Sequence, residues 1–241
     1  MDRDERWLLD EKYGGIKTPE YEIDEKRLAT GEPLGYVIGW QPFLGLKIFL
    51  DSHPLIPRPE TEWWVEQLLQ NSPATSTVLD LCAGSGAIGC AALEKLPSAP
   101  VYFGEIDPTH ETTIQKNIQA NNLDATRAEV RIGDLFTPFG DMKFDIIAAN
   151  PPYIPSGRTL EPSVTDYEPA LALFSGDDGL DLMRRIAVEL PKHLTKSGRA
   201  WVECDRAHAP AARELFVAQD LSAEIRTDQY SVPRVIVVSF P

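Results

Sequence analysis

From Thr77 onward the chain alternates short apolar runs with longer stretches in which apolar residues recur at helical spacing. Val78-Leu79-Asp80-Leu81, Val101-Tyr102-Phe103-Gly104, residues 129–132, 144–149 and 200–203, and the β-branched run 232–240 predict strands. Residues 87–96, 109–121, 180–194 and 209–219 predict the helices between them. Upstream, Trp64, Val65, Leu68 and Leu69 place a helix over 61–69. Residues 35–39 and 46–50 predict a strand pair feeding the Pro-rich stretch Pro54-Leu55-Ile56-Pro57-Arg58-Pro59. Residues 4–13 predict a short amphipathic helix that Gly14-Gly15 stops and whose restart Pro19 discourages. Repeated strand–helix units imply an α/β fold with a mainly parallel, doubly wound sheet and a ligand at the carboxyl ends of its strands. The expected organisation is a short helical extension over 1–30, a β-hairpin and connector over 31–59, and one α/β domain over 60–241.

Composition narrows the partners. A chain of 241 residues, 43% hydrophobic and 25% charged, suits a soluble globular protein with a substantial core. Lys plus Arg is 23 against 37 for Asp plus Glu, and the net charge of −14 disfavours non-specific binding to nucleic acid. No run exceeds two adjacent basic residues, so a protein or small-molecule substrate is expected. The charged start Met1-Asp2-Arg3-Asp4-Glu5-Arg6 has no apolar segment after it, so no signal peptide is expected. No apolar run approaches the ~20 residues of a membrane span. Cys82, Cys90 and Cys204 form no C-x-x-C pair, and His53, His110, His193 and His208 are scattered, so neither zinc nor a disulfide is expected. These features fit a cytoplasmic protein.

Two motifs carry chemistry. Gly84-Ser85-Gly86-Ala87-Ile88-Gly89 follows a predicted strand and opens a predicted helix, and Glu105 ends the next strand about 20 residues on. Glycines admit a ligand close to the backbone, the helix start offers N–H groups, and the acid can bond ribose hydroxyls. A dinucleotide and S-adenosylmethionine both satisfy that pattern. Asp80, just before the turn, favours the latter, because a carboxylate there can orient the loop and face an ammonium rather than a pyrophosphate.

Asn150-Pro151-Pro152-Tyr153 ends another strand at the same sheet edge. A planar amide or exocyclic amine is a poor nucleophile because its lone pair is delocalised. The Asn150 side-chain oxygen and the Pro151 backbone oxygen can accept its two N–H hydrogens, raising density on nitrogen and aiming it at a methyl donor. The prolines preorganise the carbonyls, and Tyr153 can wall the planar group. No general base is needed beforehand, since the N-alkylated amide is acidic enough to lose its proton to solvent.

With these motifs the chain resembles class I S-adenosylmethionine-dependent methyltransferases. More narrowly, it resembles the HemK/PrmC family, which methylates a glutamine side-chain amide in class 1 peptide-release factors. The resemblance rests on Gly31-Glu32-Pro33-Leu34-Gly35-Tyr36-Val37-Ile38-Gly39, Leu55-Ile56-Pro57-Arg58-Pro59-Glu60-Thr61-Glu62, the glycine turn with Asp80-Leu81-Cys82-Ala83, the tetrad with Ile154, Tyr167-Glu168-Pro169-Ala170-Leu171 and Gly176-Asp177-Asp178-Gly179-Leu180. It implies a Rossmann-like seven-stranded sheet with the last strand antiparallel, and S-adenosylmethionine held by Asp80, Cys82, Ala83, Gly84, Ser85, Gly86, Glu105, Asp134, Leu135 and Asn150. It further implies that Asn150, Pro151, Pro152 and Tyr153 hold the glutamine, that the partner is a class 1 release factor, and that no metal or membrane is involved. Three departures stand out. Glu105 replaces the usual Asp, Leu135 takes a position often aromatic, and only about 30 residues precede the Gly-Glu-Pro motif where relatives usually carry a larger helical domain. A ribosomal-protein glutamine methyltransferase, an adenine-N6 methyltransferase and a non-catalytic adenosine-ligand module are the alternatives. Arg58 and Glu60 are either substrate-steering groups or part of a rigid connector, and Glu203 either faces the site or is a surface acid. Trp7, Trp63, Trp64, His193 and His208 are taken as packing or surface residues.

Overall fold

The computed structural model describes residues 1–241. Three helices open the chain: α1 (Arg3–Tyr13), α2 (Pro19–Ala29) and α3 (Leu34–Ile38). A hairpin of β1 (Trp40–Phe43) and β2 (Leu46–Phe49) follows, then α4 (Pro59–Gln70). The alternating part runs β3 (Val78–Leu81), α5 (Ala87–Lys95), β4 (Val101–Glu105), α6 (His110–Ala120), β5 (Ala128–Ile132) and β6 (Phe144–Ala149). After it come two short helices, α7 (Pro162–Thr165) and α8 (Ala170–Leu173), then α9 (Asp181–His193), β7 (Leu194–Glu203), α10 (Ala209–Val217), β8 (Ser222–Thr227) and β9 (Pro233–Ser239).

Seven strands form one sheet in the order β5-β4-β3-β6-β7-β9-β8. Only β9 runs against its neighbours, β7 and β8. Because side chains alternate across a strand, adjacent residues feed opposite cores. Val78, Phe103, Ile146 and Trp201 meet Trp64 of α4, α5 and Ile114 of α6 on one face. Leu79, Ile147, Ala200 and Val202 meet α9 and α10 on the other. Helices on both faces explain why β3 is buried at every position, Asp80 included.

Several local expectations are corrected. Residues 35–39 are not a strand; Tyr36, Val37 and Ile38 are all buried in α3, which Gly39 ends at φ 96°, and the hairpin's first strand begins at Trp40. A run buried on all sides has no alternation to tell helix from strand. Pro19 does not discourage a helix but starts one, behind a Thr18 side chain that accepts from the Tyr21 N–H, because the first helical position needs no N–H. The α1–α3 group closes around Leu8, Leu9, Tyr21, Val37 and Ile38. Strand β8 was not anticipated, being a half-exposed edge with polar residues. β7 begins earlier than expected, through the exposed Lys196 and partly exposed Thr195. No helix is long and apolar enough to cross a membrane.

Candidate active site

The carboxyl ends of β3, β4 and β6 open on a cavity of about 270 Å³. The glycine turn forms its floor. Cys82 (φ 61°), Gly84 (φ 55°) and Gly86 (φ 75°) take left-handed backbone conformations that curl the chain from β3 into α5. Glu105, at the end of β4 and 6% exposed, clamps this curl: its Oε2 accepts from the Gly84 N–H at 2.7 Å and its Oε1 from the Asp107 N–H at 2.8 Å. Asn117 of α6 braces the turn from behind, donating to the Ser85 carbonyl (2.9 Å) and exchanging hydrogen bonds with both Phe49 backbone groups.

Asp80 sits fully buried beneath the turn. Its Oδ2 accepts from the Gly89 N–H at 2.8 Å, while Oδ1 has no partner. Burial pushes this carboxyl up to about 8, the Gly89 bond opposes that, and Glu105 adds to it. Gly89 is required there because a Cβ would lie 2.2 Å from the Phe103 ring.

The far wall holds Asp134, whose carboxylate meets Arg185 at 2.7 Å, and Leu135 with its positive φ of 47°. His110, 6% exposed, lines the cavity with Nδ1 2.8 Å from the Ser52 hydroxyl. Ile106 and Leu171 lie exposed at the lining.

The tetrad closes the opposite side. Asn150 follows β6 and donates Nδ2–H to Thr61 Oγ1 at 3.3 Å. Behind it Glu203, 1% exposed, accepts at Oε2 from Thr61 Oγ1 (2.6 Å) and Trp64 Nε1 (2.8 Å), and at Oε1 from the Tyr153 hydroxyl (3.0 Å). Burial raises the Glu203 carboxyl, and the three donors with the Arg234 guanidinium work against that rise. Burial beside Glu203 likewise drives the Tyr153 hydroxyl well above its ordinary value, so it stays a donor.

Segments that the sequence singled out support this wall. Gly179 (φ 76°) packs where a Cβ would meet the Tyr153 carbonyl at 2.4 Å, and the Ile154 N–H reaches the Leu173 carbonyl at 2.9 Å. Arg58 pairs with the buried Glu168, which also accepts from the Ile56 N–H. That pair ties the Pro-rich segment to the Glu168–Pro169 segment, so Leu55, Pro57, Pro169 and Ala172 line one cavity.

Of the residues selected from sequence, Cys82, Ala83, Gly84, Ser85, Glu105, Asp134, Leu135, Asn150 and Pro152 line the cavity together. Asp80, Gly86, Pro151 and Tyr153 do not. Asp80 points under the turn, Gly86 faces Ile114 and Phe103, Pro151 is buried, and Tyr153 donates its hydroxyl to the buried Glu203. Glu203 is a buried acceptor, not a surface acid, and Trp64 is core, stacked 6.3 Å from Trp201. Thr61, His110, Phe174 and Arg185 were missed as lining residues; Thr61 alone carried a signal, standing inside the Pro-Glu-Thr-Glu segment. No group of three or more His, Cys, Asp or Glu is placed to hold a metal.

The donor set suits S-adenosylmethionine. Glu105 offers carboxylate lone pairs for ribose hydroxyls, Leu135 an apolar surface for a purine, and the unpartnered Asp80 Oδ1 lies under the loop. Acidic walls also favour a cationic sulfonium.

Residues 60–166 match the model of the methyltransferase small domain. A release factor glutamine methyltransferase from Geobacter sulfurreducens is 40% identical over 192 residues, covering 79% of this chain and 66% of the relative. One from Thermodesulfovibrio yellowstonii is 35% identical over 89% of this chain and 78% of its own length. Among solved structures, a methyltransferase from Pyrococcus furiosus superposes with a TM-score of 0.61 at 15% identity, covering 90% of this chain and 97% of that one. The fold is therefore the Rossmann-like one of S-adenosylmethionine-dependent methyltransferases, and the chain belongs to the release factor glutamine methyltransferase family.

Proposed function

We propose that this protein transfers a methyl group from S-adenosylmethionine to the side-chain amide nitrogen of the glutamine in the Gly-Gly-Gln motif of a class 1 peptide-release factor. The observation that carries the reading is the presence of Asn150 and the Glu105-clamped glycine turn on one cavity. Bound S-adenosylmethionine supplies an electrophilic methyl group. Glu105 holds the ribose, Asp134 and Leu135 border the adenine, and the turn from Cys82 to Ser85 cradles the remainder. Asn150 Oδ1 accepts an N–H of the substrate amide, which aligns its nitrogen and builds electron density there as the bond forms. The new bond from nitrogen to the methyl carbon replaces that carbon's bond to sulfur, which keeps the electron pair as S-adenosylhomocysteine, and the surplus proton leaves to solvent. Leu55, Ile106 and Leu171 give the lining apolar surface.

The test is transfer of labelled methyl to an unmethylated release factor beside a copy with the motif glutamine replaced by glutamate. Label on the first alone supports the reading. Label on neither, with S-adenosylmethionine still bound, overturns it in favour of a ribosomal-protein or nucleic-acid acceptor.

A further inference from the structure

We propose that Thr61, held by Glu203, is a positioning residue that fixes which end of the Asn150 amide faces the methyl acceptor. The inference rests on the functional reading above only for the consequence in turnover; the orientation itself follows from counting protons.

Trp64 Nε1 can only donate, so Glu203 Oε2, 2.8 Å away, must be an acceptor, and as a carboxylate, the form its three donors and Arg234 favour, Glu203 has no proton of its own to give. The same oxygen lies 2.6 Å from Thr61 Oγ1, and Thr61 has a single hydroxyl proton to give it. The Tyr153 hydroxyl donates to the other carboxylate oxygen. With its proton committed, Thr61 offers Asn150 lone pairs alone. Asn150 must then turn its NH₂ toward Thr61, as the 3.3 Å contact records, and leave Oδ1 free for the cavity. An amide flipped the other way would set its oxygen against an oxygen with no hydrogen to share, and would present a donor to a substrate that brings donors. Thr61 is 3% exposed and Glu203 1%, so water does not substitute readily for either bond. A residue of α4 and one at the end of β7 thus set the polarity of a side chain at the end of β6.

The experiment uses the full chain with S-adenosylmethionine and release factor, in wild type, Thr61→Val and Thr61→Ser. Valine keeps the shape and removes both hydrogen bonds; serine keeps the hydroxyl. Thr61→Val is expected to lower kcat by ~10- to 100-fold with little change in the Kd for S-adenosylmethionine, and Thr61→Ser to recover most of that loss. Glu203→Gln is expected to stay nearer wild type than Thr61→Val, because an amide oxygen can still accept from both Thr61 and Trp64. Equal turnover in wild type and Thr61→Val, or an equal loss in the valine and serine variants, overturns the proposal.

NMR of the unliganded wild-type protein gives a readout that needs no methyl acceptor and no variant. One Asn150 side-chain N–H should make contact with Thr61 Oγ1 and be protected from exchange with solvent, and two freely exchanging N–H hydrogens, as an amide turned into the cavity would show, refute the orientation. Failure of methyl transfer with this contact present would instead count against the release-factor reading.

Discussion

Glu105 carries two jobs that one substitution can separate. Its carboxylate accepts one backbone N–H on each oxygen, Gly84 at 2.7 Å and Asp107 at 2.8 Å, and its remaining lone pairs face the cavity, where the ribose is proposed to bind. Glu105→Gln preserves shape and removes charge. An amide has one oxygen, so one of the two N–H groups now faces an NH₂, and the turn loosens on that side. Losing a charged hydrogen bond to the ligand is worth ~1.5–3 kcal/mol, which raises the Kd for S-adenosylmethionine roughly 10- to 150-fold. Because Asn150 lies on the opposite wall, kcat at saturating cofactor is expected to change less than ~3-fold, the pattern of lost uniform binding. Titration calorimetry with S-adenosylmethionine and its demethylated product gives the Kd, and initial rates give kcat. Glu105→Asp keeps the charge but is one methylene shorter and cannot reach both N–H groups, so it should fall between the two. A Kd within twofold of wild type for Glu105→Gln, or a loss confined to kcat, would refute the assignment.

Other substitutions test the opposite wall and the support beneath the turn. Asn150→Ala removes an acceptor used as charge develops, so kcat should drop ~100-fold or more while cofactor Kd barely moves; unaltered turnover would end its assigned role. Asp80 has its folded value raised from 3.8 to about 8, so the native state holds a proton there that the unfolded chain releases above about 4. Its contribution to stability is therefore complete at low pH and is lost as pH rises toward 8, at up to about 1.4 kcal/mol per pH unit. Urea unfolding of wild type and Asp80→Asn across that range should show wild type losing ground as pH rises, and parallel curves would contradict the assignment. Gly89→Ala forces a Cβ to within 2.2 Å of the fully buried Phe103 ring, and urea midpoints should register a loss of ~1–3 kcal/mol; an unshifted midpoint would mean that the ring can move aside.

The parts of this site that could be read from sequence are those whose neighbours in space are also neighbours in the chain. The turn from Cys82 to Gly86 and the Asn150 tetrad each sit at a strand end, and a doubly wound sheet brings such ends together regardless of detail. The contact between Thr61 and Glu203 spans 142 residues, and that between Asn117 and Phe49 spans 68. No periodicity encodes these distances, because they depend on how α4 and α6 pack on one face of the sheet. Glu203 illustrates the difficulty. An acid at a strand end has the same one-letter signature whether it faces water or three buried donors, and only the partners decide. The α3 error has a different origin. Tyr36-Val37-Ile38 favours a strand by composition, and the helix wins because Pro33 and Gly39 bracket it while every face is covered.

The position of β9 between β7 and β8 has a consequence for the order of assembly. β8 and β9 are joined by a short loop and pair locally, whereas β7 meets β9 only across the intervening α10 and β8. Closing the longer loop costs more chain entropy, so the hairpin should form first and dock as a unit. Until it docks, β7 presents an open edge carrying Ala200, Trp201 and Val202, an apolar template for association with other chains. Glu203 lies at the end of that same edge, paired with Val235. Opening of the terminal hairpin therefore loosens the half of the cavity proposed to hold the acceptor amide, while the glycine turn, on β3 and β4 across the sheet, keeps its framework. An enzyme caught in that state would still take up its methyl donor and yet be unable to align an acceptor.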